Sequence, residues 1–198
     1  MADSRLDPVR IDVAQLVQRS VASLYSHLVT RPTGRAVRLA IESQLLEAGD
    51  PSVSVIDFSE VTILDFSCAD EVVARLLKAY LEDERPKDAF FLFRGVQAWH
   101  QEPIEAVLER QKLAAVIQPV GGSVQLVGTV TPGERDVWSE VERRGYMPAE
   151  SASETFDGED ARIALARIVT RRLVFAGPEG GIHSLGALAN PGSQLSST

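Results

Sequence analysis

The residues able to do chemistry crowd into one short stretch. Asp57, Asp65, Ser67, Cys68, Asp70 and Glu71 all fall between positions 57 and 71. Asp57 and Asp65 each end an apolar run, and a carboxylate there can hold a cation or accept hydrogen bonds from loop amides. Two carboxylates without a third ligand make a poor metal site, so amide capture is the expected role and no metal is expected. Ser67 can take a phosphoryl group or cap a helix. A phosphate would meet a helix N-terminus but also the negative Asp65, Asp70 and Glu71, which favours the cap, in an S-x-x-D pattern with Asp70. Cys68 at a helix start invites a nucleophile. His27, His100 and His183 each stand alone, however, and the expected role of Cys68 is a small buried packing residue. No nucleophile, base and orienting group assemble, so the stretch reads as non-catalytic. Neither Gly121-Gly122 nor Gly180-Gly181 continues into a phosphate-cradling motif, and no cofactor is expected.

The elements that must position these residues follow from periodicity. Val53, Val55 and Ile56 predict a buried strand running into Asp57 and Phe58. A short apolar run, Val61 to Leu64, stops at Asp65. Ala69, Val72, Val73, Leu76, Leu77 and Tyr80 then recur as one face of a helix. The unit is strand, loop, helix, with Asp65 and Ser67 at the loop, where sheet proteins place sites. Upstream, Val9, Ile11 and Val13 predict a first strand within 9–17. Ser20 to Val29 has helical spacing. A helix after Thr30 buries Val37, Ala40, Ile41 and Leu45 and stops at Gly49.

Downstream of the charged break 82–88, Ala89 to Phe93 predicts an aromatic strand. Trp99-His100 follows it and marks a surface contact or, the favoured reading, core or edge packing. A helix is predicted over Pro103–Leu113, then strands over 114–117 and 123–130. Strands alternating with helices give an α/β layered sheet. A composition shift falls at Thr131-Pro132-Gly133. Three helical stretches follow, 134–144, 148–155 and 157–172, and then a hairpin, 173–176 with 182–185.

Two resemblances emerge. The strand ending in Asp57-Phe58-Ser59, the run to Leu64-Asp65-Phe66-Ser67 and the amphipathic helix resemble the STAS fold of anti-sigma-factor antagonists. The loop is closer to a STAS-like branch reading S-S-F-A-D-E; here it reads Phe66-Ser67-Cys68-Ala69-Asp70-Glu71. Thr30-Arg31 and Arg35 match a T-R-x-x-x-R helix of that branch. The likeness covers about residues 8–128 and implies a domain over 9–130 that binds a signalling protein, an anti-sigma-like serine kinase or related ATPase, through Asp57, Asp65, Phe66, Ser67, Asp70 and Glu71. In the antagonists the loop is D-S-S-G, with the first Ser phosphorylated; here Phe66 holds that place. Residues 133–186 resemble a winged helix-turn-helix, a small α+β unit. That likeness puts Arg162, Arg167, Arg171 and Arg172 on or after a recognition helix, where Arg reads guanine.

Charge weighs on the choice between DNA and protein as the partner. The 198 residues carry a net charge of −8, which lacks a general basic footprint for nucleic acid or anionic membrane. From residue 131 on there are seven Arg, no Lys and ten Asp plus Glu, and the proposed wing, GPEGG, has no base. A protein contact or homodimerisation is therefore preferred to DNA. The single cysteine allows no intramolecular disulfide, and no window of ~18 apolar residues predicts a membrane span. MADSRLDPVR lacks a signal-peptide core. The expectation is a cytoplasmic, non-catalytic regulatory protein, with flexible ends at 1–8 and 187–198.

Overall fold

The computed structural model describes residues 9–13, 27–48, 51–82 and 88–190. The expected flexible start, most of the helix expected over Ser20–Val29, and Gly49 lie outside them. In chain order come β1 (Val9–Asp12), β2 (His27–Leu28), α1 (Arg31–Glu47), β3 (Ser52–Asp57) and β4 (Ile63–Leu64). Then follow α2 (Phe66–Ala69), a π-helical turn (Asp70–Arg75), α3 (Leu76–Leu81), β5 (Ala89–Val96), α4 (Ala98–Gln111), β6 (Ala114–Pro119) and β7 (Gln125–Gly128). The chain is mixed α/β, with a five-stranded sheet in the order β1-β3-β5-β6-β7. Neighbours pair in parallel except β6 with β7.

A mostly parallel sheet must be covered on both faces. One face carries Ile56, Phe58, Phe91, Phe93 and Ile117 against Val37, Ile41 and Leu45 of α1, Val72 to Leu77 of the central helix, and Ile104 and Leu108 of α4. The other face carries Val53, Val55, Phe90, Leu92, Val116 and Leu126. It is covered by the C-terminal segment: α5 (Pro132–Arg144), β8 (Tyr146–Met147), α6 (Ala149–Thr155), α7 (Glu159–Thr170), β9 (Val174–Ala176), β10 (Ile182–Ser184) and α8 (Leu185–Ala189). β8, β10 and β9 form a small antiparallel sheet. The composition shift at Thr131 is a helix start: Glu134 N donates to Thr131 Oγ1 at 3.2 Å, and Thr131 N to Glu134 Oε2 at 2.8 Å. The two units expected from sequence share the apolar core on this second face of the sheet.

Three expectations need correction. His27 and Leu28 are not helical; they pair in parallel with Ile63 and Leu64, making a separate two-stranded ribbon. The helix expected from Pro103 begins at Ala98, with a capping box between Gln97 and His100, and buried His100, Ile104, Val107 and Leu108 hold Pro103 inside it. The loose tail expected from 187 is helical to Ala189. Leu185 and Ala189 are fully buried, and Arg94 donates to Asn190 Oδ1 at 2.6 Å. Buried apolar area and this bond order a segment that composition alone marks as tail. Among the described residues no helix is long and apolar enough to cross a membrane.

Candidate functional site

The stretch that gathers chemistry in the sequence sits where β4 hands the chain to the central helix. Asp65, not Ser67, is the N-cap. Its Oδ1 accepts from Cys68 N at 2.8 Å, and Ser67 Oγ donates to Asp65 Oδ1 at 2.9 Å and Oδ2 at 3.1 Å. The reason is position: a cap residue is extended and precedes the first turn, and the helix begins at Phe66, two residues earlier than the S-x-x-D pattern suggests. Asp57 accepts from Ser59 N at 2.8 Å, the amide-capture role. Cys68 is fully buried, and its thiol donates to Thr30 O at 3.0 Å. Burial, then the nearby Asp65 carboxylate, push the thiol up to about 12, the reverse of an activated nucleophile.

Close packing brings α1 onto this helix. A Cβ on Gly34 would sit 2.9 Å from Cys68 Cα, so only glycine lets the two helices approach here. The approach delivers α1 arginines to the two acids that follow Cys68. Asp70 and Glu71 are each 2% exposed. Asp70 accepts from Arg110 at 2.7 Å and Gln111 at 3.4 Å on Oδ1, and from Arg31 at 2.8 Å and Arg75 at 3.2 Å on Oδ2. Glu71 meets Arg31 at 3.0 Å, Arg38 at 3.2 Å and Arg75 at 3.3 Å. Burial raises the Asp70 carboxyl, but the donors from Arg31, Arg75 and Arg110 overcome it and hold it at about 2.

The π-helical turn makes this possible. In an α-helix, residue i+5 lies well round the axis from residue i. The wider π turn, closed by i→i+5 hydrogen bonds, brings Arg75 back beneath Asp70 as well as Glu71. Sequence reading placed Asp70 and Glu71 at the site but missed Arg31, Arg38, Arg75 and Arg110 as their partners. Only Arg75 is near in sequence: its i,i+4 spacing to Glu71 is one that α-helical rules pair, while its i,i+5 spacing to Asp70 is not.

Beside the loop lies an exposed apolar group. Phe66 is 51% exposed, Ile63 43%, Val29 47% and Trp99 60%. Ile63 lies on the ribbon, Val29 directly follows its other strand, and the Trp99 indole donates to Thr62 O at 3.0 Å. All four thus lie on the two-stranded ribbon, within two residues of it, or, for Trp99, bonded to its edge, with Arg31 two residues beyond Val29.

The C-terminal arginines divide. Arg171 donates to Thr129 O at 2.7 Å and reaches Glu134 at 3.3 Å. Arg172 pairs with Asp88, donates to Ala89 O at 3.2 Å, and lies 4.9 Å from the centre of the Phe90 ring. Both fasten the C-terminal segment to the rest of the chain. Arg162 and Arg167 are exposed on α7. Arg167 borders a groove of about 610 Å3 with Lys112, Thr129, Val130 and Ile163. Among the described residues no group of three His, Cys, Asp or Glu could hold a metal. Comparison with known proteins finds no matching family model, no matching curated protein and no matching solved structure.

Proposed function

We propose that this chain is a non-catalytic regulatory protein that binds a signalling protein through the surface around Asp65–Leu77. The observation that carries the reading is the exposed apolar group Val29, Ile63, Phe66 and Trp99, set on elements whose polar groups are already satisfied internally. Exposed aromatic anchors over a rigid, hydrogen-bonded base suit protein contact. Arg31, 45% exposed beside Val29, gives the surface a basic rim, so the partner has an apolar centre and an acidic edge. A parallel sheet whose third strand leads through a capped loop into the central helix supports the STAS-like likeness, and with it an anti-sigma-like serine kinase or related ATPase as partner class. The order helix, strand, two helices and two strands over 132–184 supports the winged-helix likeness. DNA binding by that unit is the weaker reading, because Arg171 and Arg172 are engaged internally.

The test is affinity capture from the native host with wild type, Phe66→Asp and a control, Val120→Asp, whose apolar side chain is exposed elsewhere. A polypeptide held by wild type and control should be lost by Phe66→Asp, since a buried anchor contributes roughly 2 kcal/mol or more, about thirtyfold. Equal capture by a folded Phe66→Asp sinks the reading.

A further inference from the structure

The underside of the buried ion cluster holds a second feature that the partner surface does not use. A small cavity of about 230 Å3 is lined by Ala74, Arg75, Lys78 and Gln111. Arg75 spends only its Nε on Asp70 and Glu71, which leaves both terminal nitrogens of its fork unused by the cluster. Arg110 likewise uses one nitrogen on Asp70 and is 60% exposed. Lys78 is exposed and carries no hydrogen bond or ion pair among the described residues. Gln111, which lines the cavity, donates to the same Asp70 oxygen as Arg110.

Charge here runs against the rest of the chain. Arg31, Arg38, Arg75 and Arg110 gather around three carboxylates, Asp70, Glu71 and Glu42, and Lys78 lines the cavity beside Arg75, in a protein of net charge −8. The carboxylates do not oppose an anion in the cavity. Asp70 and Glu71 are 2% exposed and covered by their own donors, so an arriving anion meets N–H groups. Their role is to fix the guanidinium planes, which lowers the ordering cost of binding. The π turn contributes as well, by holding Arg75 at the cavity wall.

We propose that this cavity binds the phosphoryl group of a small molecule, a phosphate monoester or inorganic phosphate. An arginine fork grips two phosphoryl oxygens, and the Lys78 ammonium supplies a point charge for the third. The cavity takes the phosphoryl group, and an ester substituent leaves through its open side.

Calorimetric titration of the full chain with inorganic phosphate and with methyl phosphate tests this, alongside amide and side-chain NMR shifts. Saturable binding is expected for at least one probe, with shifts centred on Ala74–Lys78 and the Gln111 side-chain amide. Tighter binding of methyl phosphate assigns the site to a monoester; tighter binding of the inorganic ion assigns it to phosphate itself. Lys78→Gln, a change at an exposed side chain without partners among the described residues, should weaken binding about tenfold or more; Arg162→Gln should change nothing. The proposal is overturned by no saturable binding of either probe up to about 10 mM. Unchanged affinity in Lys78→Gln, or shifts centred on the groove of Lys112 and Arg167, overturns it too.

Discussion

The two arginine-rich regions of this molecule put the same side chain to opposite uses. Around Asp70 and Glu71, Arg31, Arg38, Arg75 and Arg110 converge on two buried acids, and three of the four remain about half exposed. The acids are the buried component and the arginines stay open to solvent. In the C-terminal segment the roles reverse. Arg172 is itself largely covered, its side chain 12% exposed, while its partner Asp88 lies nearer the surface. The first arrangement displays charge; the second uses charge to seat one layer on another. An arginine in a sequence therefore implies no surface role until its acceptors are located.

Removing a buried acid should have the largest effect. Glu71→Ala removes a carboxylate that is 2% exposed and that three arginines share, leaving Arg31 and Arg75 with Asp70 and Arg38 with Glu42, and should cost about 3 kcal/mol of unfolding free energy. Denaturant titration reads it, with the exposed Glu154→Ala as a control near zero. A loss under about 0.5 kcal/mol would show that the acids do not hold the cluster together.

Acid should reveal the same cluster next. Asp70 sits at about 2 in the folded chain against an ordinary 3.8, so its folded value is depressed. The stability that it contributes is therefore present above about pH 4 and drains away as pH falls toward 2, roughly 2 kcal/mol in all. Unfolding midpoints followed from pH 5 to pH 2 should fall less in Asp70→Asn than in wild type. Identical slopes would remove Asp70 as the source.

The smallest effects sharpen the contrast at the other end. Arg172→Ala removes the Asp88 pair, the bond to Ala89 O and the Phe90 contact, and should cost about 2 kcal/mol. Arg172 also has a φ of 57°, so Arg172→Gly should be the milder change by a few tenths to about 1 kcal/mol. Arg162→Ala and Arg167→Ala should each stay within about 0.5 kcal/mol. If the surface pair costs as much as Arg172→Ala, the division into displayed and fastening arginines fails.

Much of this was legible in the order of residues. Alternation in Val53 to Ile56 and helical spacing from Ala69 to Tyr80 gave the strand and helix that frame the site. The run Phe90-Phe91-Leu92-Phe93 held more than a strand. Without polar alternation its two faces must both be buried, and Phe90 and Leu92 do face the C-terminal core while Phe91 and Phe93 face the other. The turn signals at Thr131-Pro132-Gly133 pointed instead to a boundary, because a capping box and a linker share their residue types.

Asp65 was placed correctly at the loop, but Ser67 lies in the first turn of the helix, so the cap was assigned two residues late. The arginines were beyond local rules. Arg31 lies 39 residues before Asp70, and Arg110 lies 40 after it. Spacing along the chain thus determined which residues become strand, loop and helix, since periodicity acts over a few residues. Which acid each arginine meets, and which face of the sheet each helix covers, was decided by the tertiary structure. Those outcomes depend on close approaches such as Gly34 against Cys68 and on a π turn that carries Arg75 beneath Asp70.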